Sequence, residues 1–282
     1  MYWERPGGAP RAPYLDLCEE TIRHHLDGMA FEVVDERSAF DWVPTLSRQV
    51  WHALPDAMRR SDYLRVRLLH AHGGVYLDVD CIALASLRLL TEPLASATFA
   101  SFGAADQAVQ NGFFAARPGS PLLEAWAEAQ DRFLVDADDW SSLPRTALGE
   151  PLATELAAVF PHHSFPERVI APVMWYEWGR FFSRCASPAD VLRFSPLTVM
   201  LYNEFMGEYL RNASRSELLT GRTLLSRLFR VALGISTPGD EEDGWTKLHL
   251  LADVRYSTYG RAARSRIRSA RGRFTLANRT DR

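Results

Sequence analysis

The residues best suited to chemistry lie in VYLDVD, positions 75–80, where Asp78 and Asp80 stand two apart. Read as one strand, the segment projects both carboxylates from the same face, about 6–7 Å from each other. Nothing close in sequence neutralises them, so the pair calls for a cation, a proton or a partner ligand. Three chemistries use such a pair. A carboxylate can hold a divalent ion that neutralises a bound diphosphate. The first Asp can be a nucleophile and the second an acid/base, as in phosphotransfer of the haloacid-dehalogenase type. Or the two can flank a bond in glycoside hydrolysis. Phosphotransfer of that type needs a lysine followed downstream by an acidic metal motif. Here Lys247 is the only lysine, and Asp240-Glu241-Glu242-Asp243 precedes it, which argues against that chemistry. Hydrolase carboxylates normally come from different strands and face each other across a cleft, a softer argument against the third.

Other residues with chemical potential are less organised. His24-His25, His70 with His72, and His162-His163 lack the i,i+4 spacing and supporting carboxylates of a zinc site, and read as ordinary surface or core histidines. Cys18, Cys81 and Cys185 are odd in number and widely spaced, which fits a reducing compartment without structural zinc. The aromatic run WYEWGRFF at 175–182 suits either a groove for the apolar face of a ligand ring or core packing, and its sequence leaves both open. There is no Ser/His/Asp or Cys/His arrangement, no P-loop and no GxGxxG.

The elements that must position the carboxylates follow from periodicity. Residues 14–27 carry apolar positions at helical spacing, and FEVVDE at 31–36 reads as a short strand, a helix-then-strand step of an α/β fold. A helix is expected over 43–54, ended by Pro55. Ser61 reads as the N-cap of the next helix, with Asp62 in its first turn and Gly73-Gly74 stopping it. In the strand that follows, Val75, Leu77 and Val79 are expected to face the core, and Tyr76, Asp78 and Asp80 the other way. Further strands are expected at 97–102, 112–118 and 168–172, with helices over 121–134 and after Gly149-Glu150-Pro151. Residues 136–145 read as a loop, 196–205 as a late strand running into a turn, and 215–233 as helical.

The composition, 47% apolar and 24% charged over 282 residues, is that of a folded, enzyme-sized globular chain. A net charge of -3 supplies no whole-molecule attraction to nucleic acid. No signal-peptide pattern and no apolar run of membrane-spanning length is present, so a cytoplasmic protein is expected, at most peripheral at the inner face of a membrane. Residues 255–282 hold nine arginines against one acid, Asp281; this tail reads as a solvated helix or as a contact to an anionic membrane or partner.

The stretch SDYLRVRLLHAHGGVYLDVD resembles the signature of the DxD sugar-binding-region glycosyltransferases, of the capsular polysaccharide synthesis and initiating mannosyltransferase kind and similar to glycosyltransferase family 32. That signature runs S/A-D-x-x-R, a short helix, then G-G-x-Y/W-x-D-x-D, and Ser61, Asp62, Arg65, Gly73, Gly74, Tyr76, Asp78 and Asp80 all fit it. The opening YWERPGGAPRAPYLDLCEETIRHH is similar to the family's first strand, proline-rich turn and first helix, and reads as a shortened first strand. QNGFFAARPGSPLL resembles the stretch where an asparagine precedes a strand, and RTALGEPL a T-G-P step.

The resemblance implies a GT-A-like α/β domain with a mostly parallel mixed sheet over residues 1–205, followed by a helical extension with an Arg-rich tail over 206–282. It implies transfer of a hexose from a UDP- or GDP-sugar to a carbohydrate or lipid-linked acceptor, with Mn²⁺ or Mg²⁺ and retention of configuration. Asp78 would contact the nucleotide ribose or donor sugar, and Asp80 would bind the ion. Asp62 and Arg65 would present an acceptor and a planar donor fork, the glycines and Tyr76 would sit at the donor, Trp3 would stack on the base, and Asn111 would touch the donor sugar. Relatives carry a late His and Trp where this chain has Met200 and Tyr202. A thioether suits a hard ion poorly, so the further oxygen ligand is sought at Glu204 or Asn203, with Glu204 preferred. Two other readings stand beside this one: a catalytically degenerate nucleotide-sugar or carbohydrate-binding relative, and a transferase that glycosylates protein.

Overall fold

The computed structural model describes residues 1–4, 10–103, 109–137, 139–144 and 146–236. The Arg-rich tail and the acidic cluster at 240–243 lie outside the described residues.

Helix α1, Pro13–His24, opens with proline in its first turn and buries Tyr14, Leu15, Leu17, Cys18 and Ile22. The strand expected at 31–36 is reduced to a single parallel bridge between Tyr2 and Val34. Of the helix expected over 43–54 only α3 (Arg48–Ala53) forms; Pro44 keeps its first residues out of the helix, and a separate short α2 (Ala39–Trp42) lies ahead of the expected range. Helix α4, Ala57–His72, begins earlier than expected: Asp56 is its N-cap and accepts a bond from Arg59 N. Ser61 is therefore an interior helical residue with its hydroxyl free for other work. Gly73 ends α4 at φ 67°, and a side chain there would run into Pro118.

Two sheets follow. Strands β1 (Gly74–Leu77), β3 (Phe99–Phe102), β4 (Phe113–Ala116) and β5 (His163–Phe165) form one in the order β1-β4-β3-β5, and β2 (Cys81–Ala83) pairs with β6 (Thr198–Met200) in the other. The larger sheet is mixed, as expected, but the balance differs from a mostly parallel one. Pairs β1–β4, β3–β4 and β2–β6 are antiparallel, and only β3–β5 is parallel among the described strands. Alternation in a sequence identifies a strand, not the partner or direction that long-range contacts select. The strand expected at 168–172 is instead α7, Glu167–Ile170, just after β5.

Both faces of the larger sheet are covered. Tyr76, Phe99 and Phe114 pack with α4, α5 (Pro121–Asp136) and α6 (Glu150–Ala157) on one side, while Leu77, Phe102 and Phe113 pack with Ile22, Phe165 and Met200 on the other. Tyr76 is thus buried rather than presented to solvent. A third core joins α1 and β2 to the chain's later helices: α8 (Pro188–Leu192), α9 (Asn203–Asn212), α10 (Arg215–Thr220) and α11 (Leu224–Leu233).

Candidate active site

Asp78 and Asp80 do not sit on one strand. β1 ends at Leu77 and β2 begins at Cys81, so Asp78-Val79-Asp80 is the link by which the chain leaves one sheet for the other. The last β1–β4 contact is Asp78 N donating to Gly112 O at 2.9 Å. On the far side, Leu201 N donates to Asp80 O at 3.0 Å, the first contact toward β6. The backbone of each aspartate is held by a different sheet, and the pair is placed in the seam between them.

Asp78 is set by a buried polar cluster from α4. Arg65 lies 3.0 Å from Asp62 and 3.3 Å from Asp78, with its guanidinium 4.5 Å from the centre of the Tyr76 ring. Its remaining donors go to Ser61 Oγ (2.8 Å), Ser61 O (3.2 Å) and Asn111 O. Ser61 Oγ also pairs with the Tyr76 hydroxyl at 2.9 Å, and that hydroxyl lies 3.3 Å from Asp78 Oδ1 as a donor. Asn111 Nδ2 donates to Asp62 Oδ1 at 2.9 Å. Gln130, fully buried on α5, ties the Asp62 carbonyl (2.9 Å) to that of Leu148 (2.7 Å). That places Gly149 so close that a Cβ there would be 2.3 Å from Asn111 Nδ2.

Asp80 is set from the other side. Its Oδ2 accepts the backbone N–H of Asn203 at 3.0 Å, and Asn203 Oδ1 in turn accepts the Tyr14 hydroxyl at 2.9 Å. Asn203 starts α9 where a turn was expected. The residue before it, Tyr202, adopts the left-handed conformation (φ 53°, ψ 59°), uncommon for a bulky side chain, with its hydroxyl bonded to Val173 O at 3.0 Å. This bend swings the chain from β6 into a helix whose first N–H points at Asp80.

The electrostatics are those of a site short of positive charge. Burial pushes the Asp80 carboxyl up to about 6, and Asp78 adds to the rise. Burial also raises Asp78, against the pull of Arg65. Burial likewise takes Asp62 up to about 6, with Arg65 opposing. A divalent cation would offset the first two shifts. Among the described residues no cluster of three His, Cys, Asp or Glu side chains could hold one. The donor set is the pair of hard carboxylates Asp78 and Asp80; Glu204 is exposed in the first turn of α9 and forms no three-carboxylate cluster with them. That set fits Mg²⁺ or Mn²⁺, which keep waters and take substrate phosphate oxygens. Met200 has its methyl against Gly112, where a Cβ would meet it at 2.6 Å. It packs with Leu77 and Phe113, so it serves as core.

The expected site residues are thus brought together in part. Asp62, Arg65, Tyr76, Asp78 and Asn111 form one bonded cluster, and Asp80 stands beside it. Tyr76 spends its hydroxyl on Ser61 and Asp78, so it orients a carboxylate and does not reach outward. Gly73 and Gly74 lie at the opposite end of β1, about 13 Å away by strand rise. Trp3 is half-buried beneath Arg11, whose guanidinium is 5.8 Å from the ring centre, and its indole N–H has no partner among the described residues. Gln130, Gly112, Gly149 and Tyr14 were missed as site-building residues; Ser61 was read as part of the motif and Asn203 as an alternative oxygen ligand, but neither as a brace for a carboxylate.

Residues 15–100 match the model of a family described as glycosyltransferase sugar-binding region containing DXD motif. Asp78 and Asp80 fall inside the match, so the family model and the motif resemblance point to the same stretch of the chain. The fold itself is mixed α/β, as expected. Among solved structures the chain is similar to the galactosyltransferase LgtC in complex with donor and acceptor sugar analogues, with 14% identity, 85% of this chain and 96% of that chain covered, and a TM-score of 0.44. An active-site mutant of LgtC aligns comparably, with 13% identity, the same coverage and a TM-score of 0.45. No curated protein sequence matches the chain significantly.

Proposed function

We propose that the protein transfers a hexose from a UDP- or GDP-sugar to a carbohydrate or lipid-linked acceptor of the cell-surface or capsular polysaccharide type, with Mn²⁺ or Mg²⁺ and retention of configuration. The observation that carries this reading is the seam between the two sheets. It holds Asp78 and Asp80 side by side with raised proton affinity, the first oriented by Arg65 and Tyr76 and the second by Asn203.

Asp80 and Glu204 would hold the ion, whose chemistry is to neutralise the departing diphosphate. Asp78 and Asn111 would engage the ribose and donor sugar, with Asp62 and Arg65 fixing their positions, and Trp3 would meet the base. The bond from the anomeric carbon to the diphosphate breaks, the acceptor oxygen bonds to that carbon on the same face, and the acceptor's proton passes to the departing diphosphate oxygen. We take residues 1–205 as the transferase part and the rest as a helical extension; α9 runs across that boundary, and the later helices share one core with α1 and β2. No described helix is long and apolar enough to cross a membrane. A cytoplasmic enzyme, peripheral at the membrane through its basic tail, is the setting we infer.

The test is thermal stabilisation by UDP and GDP, each with and without Mn²⁺. One nucleotide should raise Tm only with the metal. Asp80→Asn should remove the metal-dependent part of that shift and the turnover while keeping the circular-dichroism spectrum; full activity in that variant would overturn the assignment. Met200 in place of an ion-binding residue favours the degenerate relative as second reading, which tight donor binding without turnover would support.

A further inference from the structure

We propose that Trp175, Phe205 and Tyr209 form an acceptor subsite that stacks the apolar face of a pyranose ring beside Asp80, an inference that rests on the glycosyl-transfer reading of that carboxylate. Among the described residues, the large hydrophobic side chains left most exposed include only these aromatics, at 37%, 44% and 45%. All three stand in one patch, whereas the other exposed apolar side chains are aliphatic or methionine and lie on different elements. The Trp175 and Phe205 rings stack with centres 5.9 Å apart and planes 25° from parallel. Tyr209 meets Phe182 edge-on at 4.7 Å, and Phe182 meets Trp178 at 6.0 Å, so Tyr209 rests on a second aromatic layer.

The patch is built and held in place. Trp175 begins the 3-10 segment Trp175–Phe182. The Glu177 carboxylate fixes its start by accepting Met174 N at 3.1 Å and Arg168 Nη1 at 2.8 Å. The Tyr202 hydroxyl fastens Val173, just before this segment, to the first residue of the α9 bend. Phe205 follows Asn203 by two residues, about 3 Å of helical rise, and Asn203 N is the group bonded to Asp80. The patch therefore stands on the helix whose first N–H holds the carboxylate that the transfer reading places at the ion, with Phe205 and Tyr209 four apart on one face of it. Flat rings, with the exposed Glu204 and Arg211 on the same helix, match the C–H face and hydroxyl rim of a sugar better than an acyl chain, which would call for an aliphatic surface.

The test is saturation-transfer NMR on the full chain with methyl α- and β-glycosides of glucose, galactose and mannose and with lactose, alongside the nucleotide and Mn²⁺ melting shift. The wild type should transfer saturation to at least one of these sugars. Trp175→Ala with Phe205→Ala should weaken that binding by about tenfold or more, while the nucleotide shift stays unchanged. Trp175→Phe with Phe205→Tyr keeps the flat rings and should retain binding, which separates loss of the platform from loss of folding. No sugar bound by the wild type, or equal binding in the double alanine variant, would overturn the subsite. Capture of detergent micelles in place of sugars would overturn it in favour of a lipid surface. Sugar binding that depends on the platform without any nucleotide shift would uphold the platform and remove the transferase reading instead.

Discussion

Arg65 stands between two carboxylates, 3.0 Å from Asp62 and 3.3 Å from Asp78, and over the Tyr76 ring. A buried cation so placed is held by charge-assisted bonds that a lysine could not all replace, because they use the planar fork. Asp62 is costly to bury, and burial takes its carboxyl up to about 6 with Arg65 opposing. A folded-state value above the unfolded one means that the native state takes up the proton first. Stability from this group should therefore rise as pH falls from 7 through about 6, and level off below about 4. Asp62→Asn lacks that component, so wild-type Tm should gain on the variant's Tm as the buffer is acidified. Movement in the opposite direction would show that the Arg65 ion pair outweighs the burial. That Asp62, Arg65, Asp78 and Asp80 belong together was legible in the motif; that Ser61 and Tyr76 bond to each other and brace the cluster was not.

At the level of elements, the β1–β4 register decides how close anything can come to Asp78. Leu77 opposes Phe113, so Gly112 lies beside Asp78, where a Cβ would be 2.9 Å from Oδ2 and 2.6 Å from the Met200 methyl. Gly112→Ala should displace Asp78 and weaken the nucleotide and Mn²⁺ shift, with a stability loss of about 1–3 kcal/mol for overpacking. Titration of the melting shift measures the first and urea unfolding the second. Unchanged nucleotide affinity would mean that Asp78 does not engage the donor. Helices α4 and α5 were visible because their apolar positions repeat at helical spacing and prolines or glycines mark their ends. α9 was not, because it starts from a left-handed tyrosine with no side-chain cap, a conformation imposed by packing on Val173 and not by local preference.

Taken as a whole, the molecule closes its core with its last described helices. Phe229 on α11 is fully buried in the cluster that also holds Leu15, Cys18 and Ile82, so α1, β2 and α11 stabilise one another. Phe229→Ala should cost about 3–5 kcal/mol, read by urea unfolding. Because β2 and α1 carry Asp80's neighbours Cys81 and Tyr14, the remaining folded protein should also show a smaller metal-dependent shift. A cost below 1 kcal/mol would mean that the helical extension adds little to the fold.

The sequence by itself determined which residues group together: the DxD, the Asp-x-x-Arg ahead of it and the glycine stop between them are local patterns, set by residue type and short spacing. It also determined the longer helices, since their periodicity is written into neighbouring residues. Only the tertiary structure decided that the two carboxylates lie in a link between sheets, and that the strand pairs run mainly antiparallel. It also decided that Asn111, Gly149 and Asn203 arrive at the same place from distant parts of the chain. Those outcomes depend on which faces bury against each other, and burial is a property of the assembled core that no short window of sequence contains.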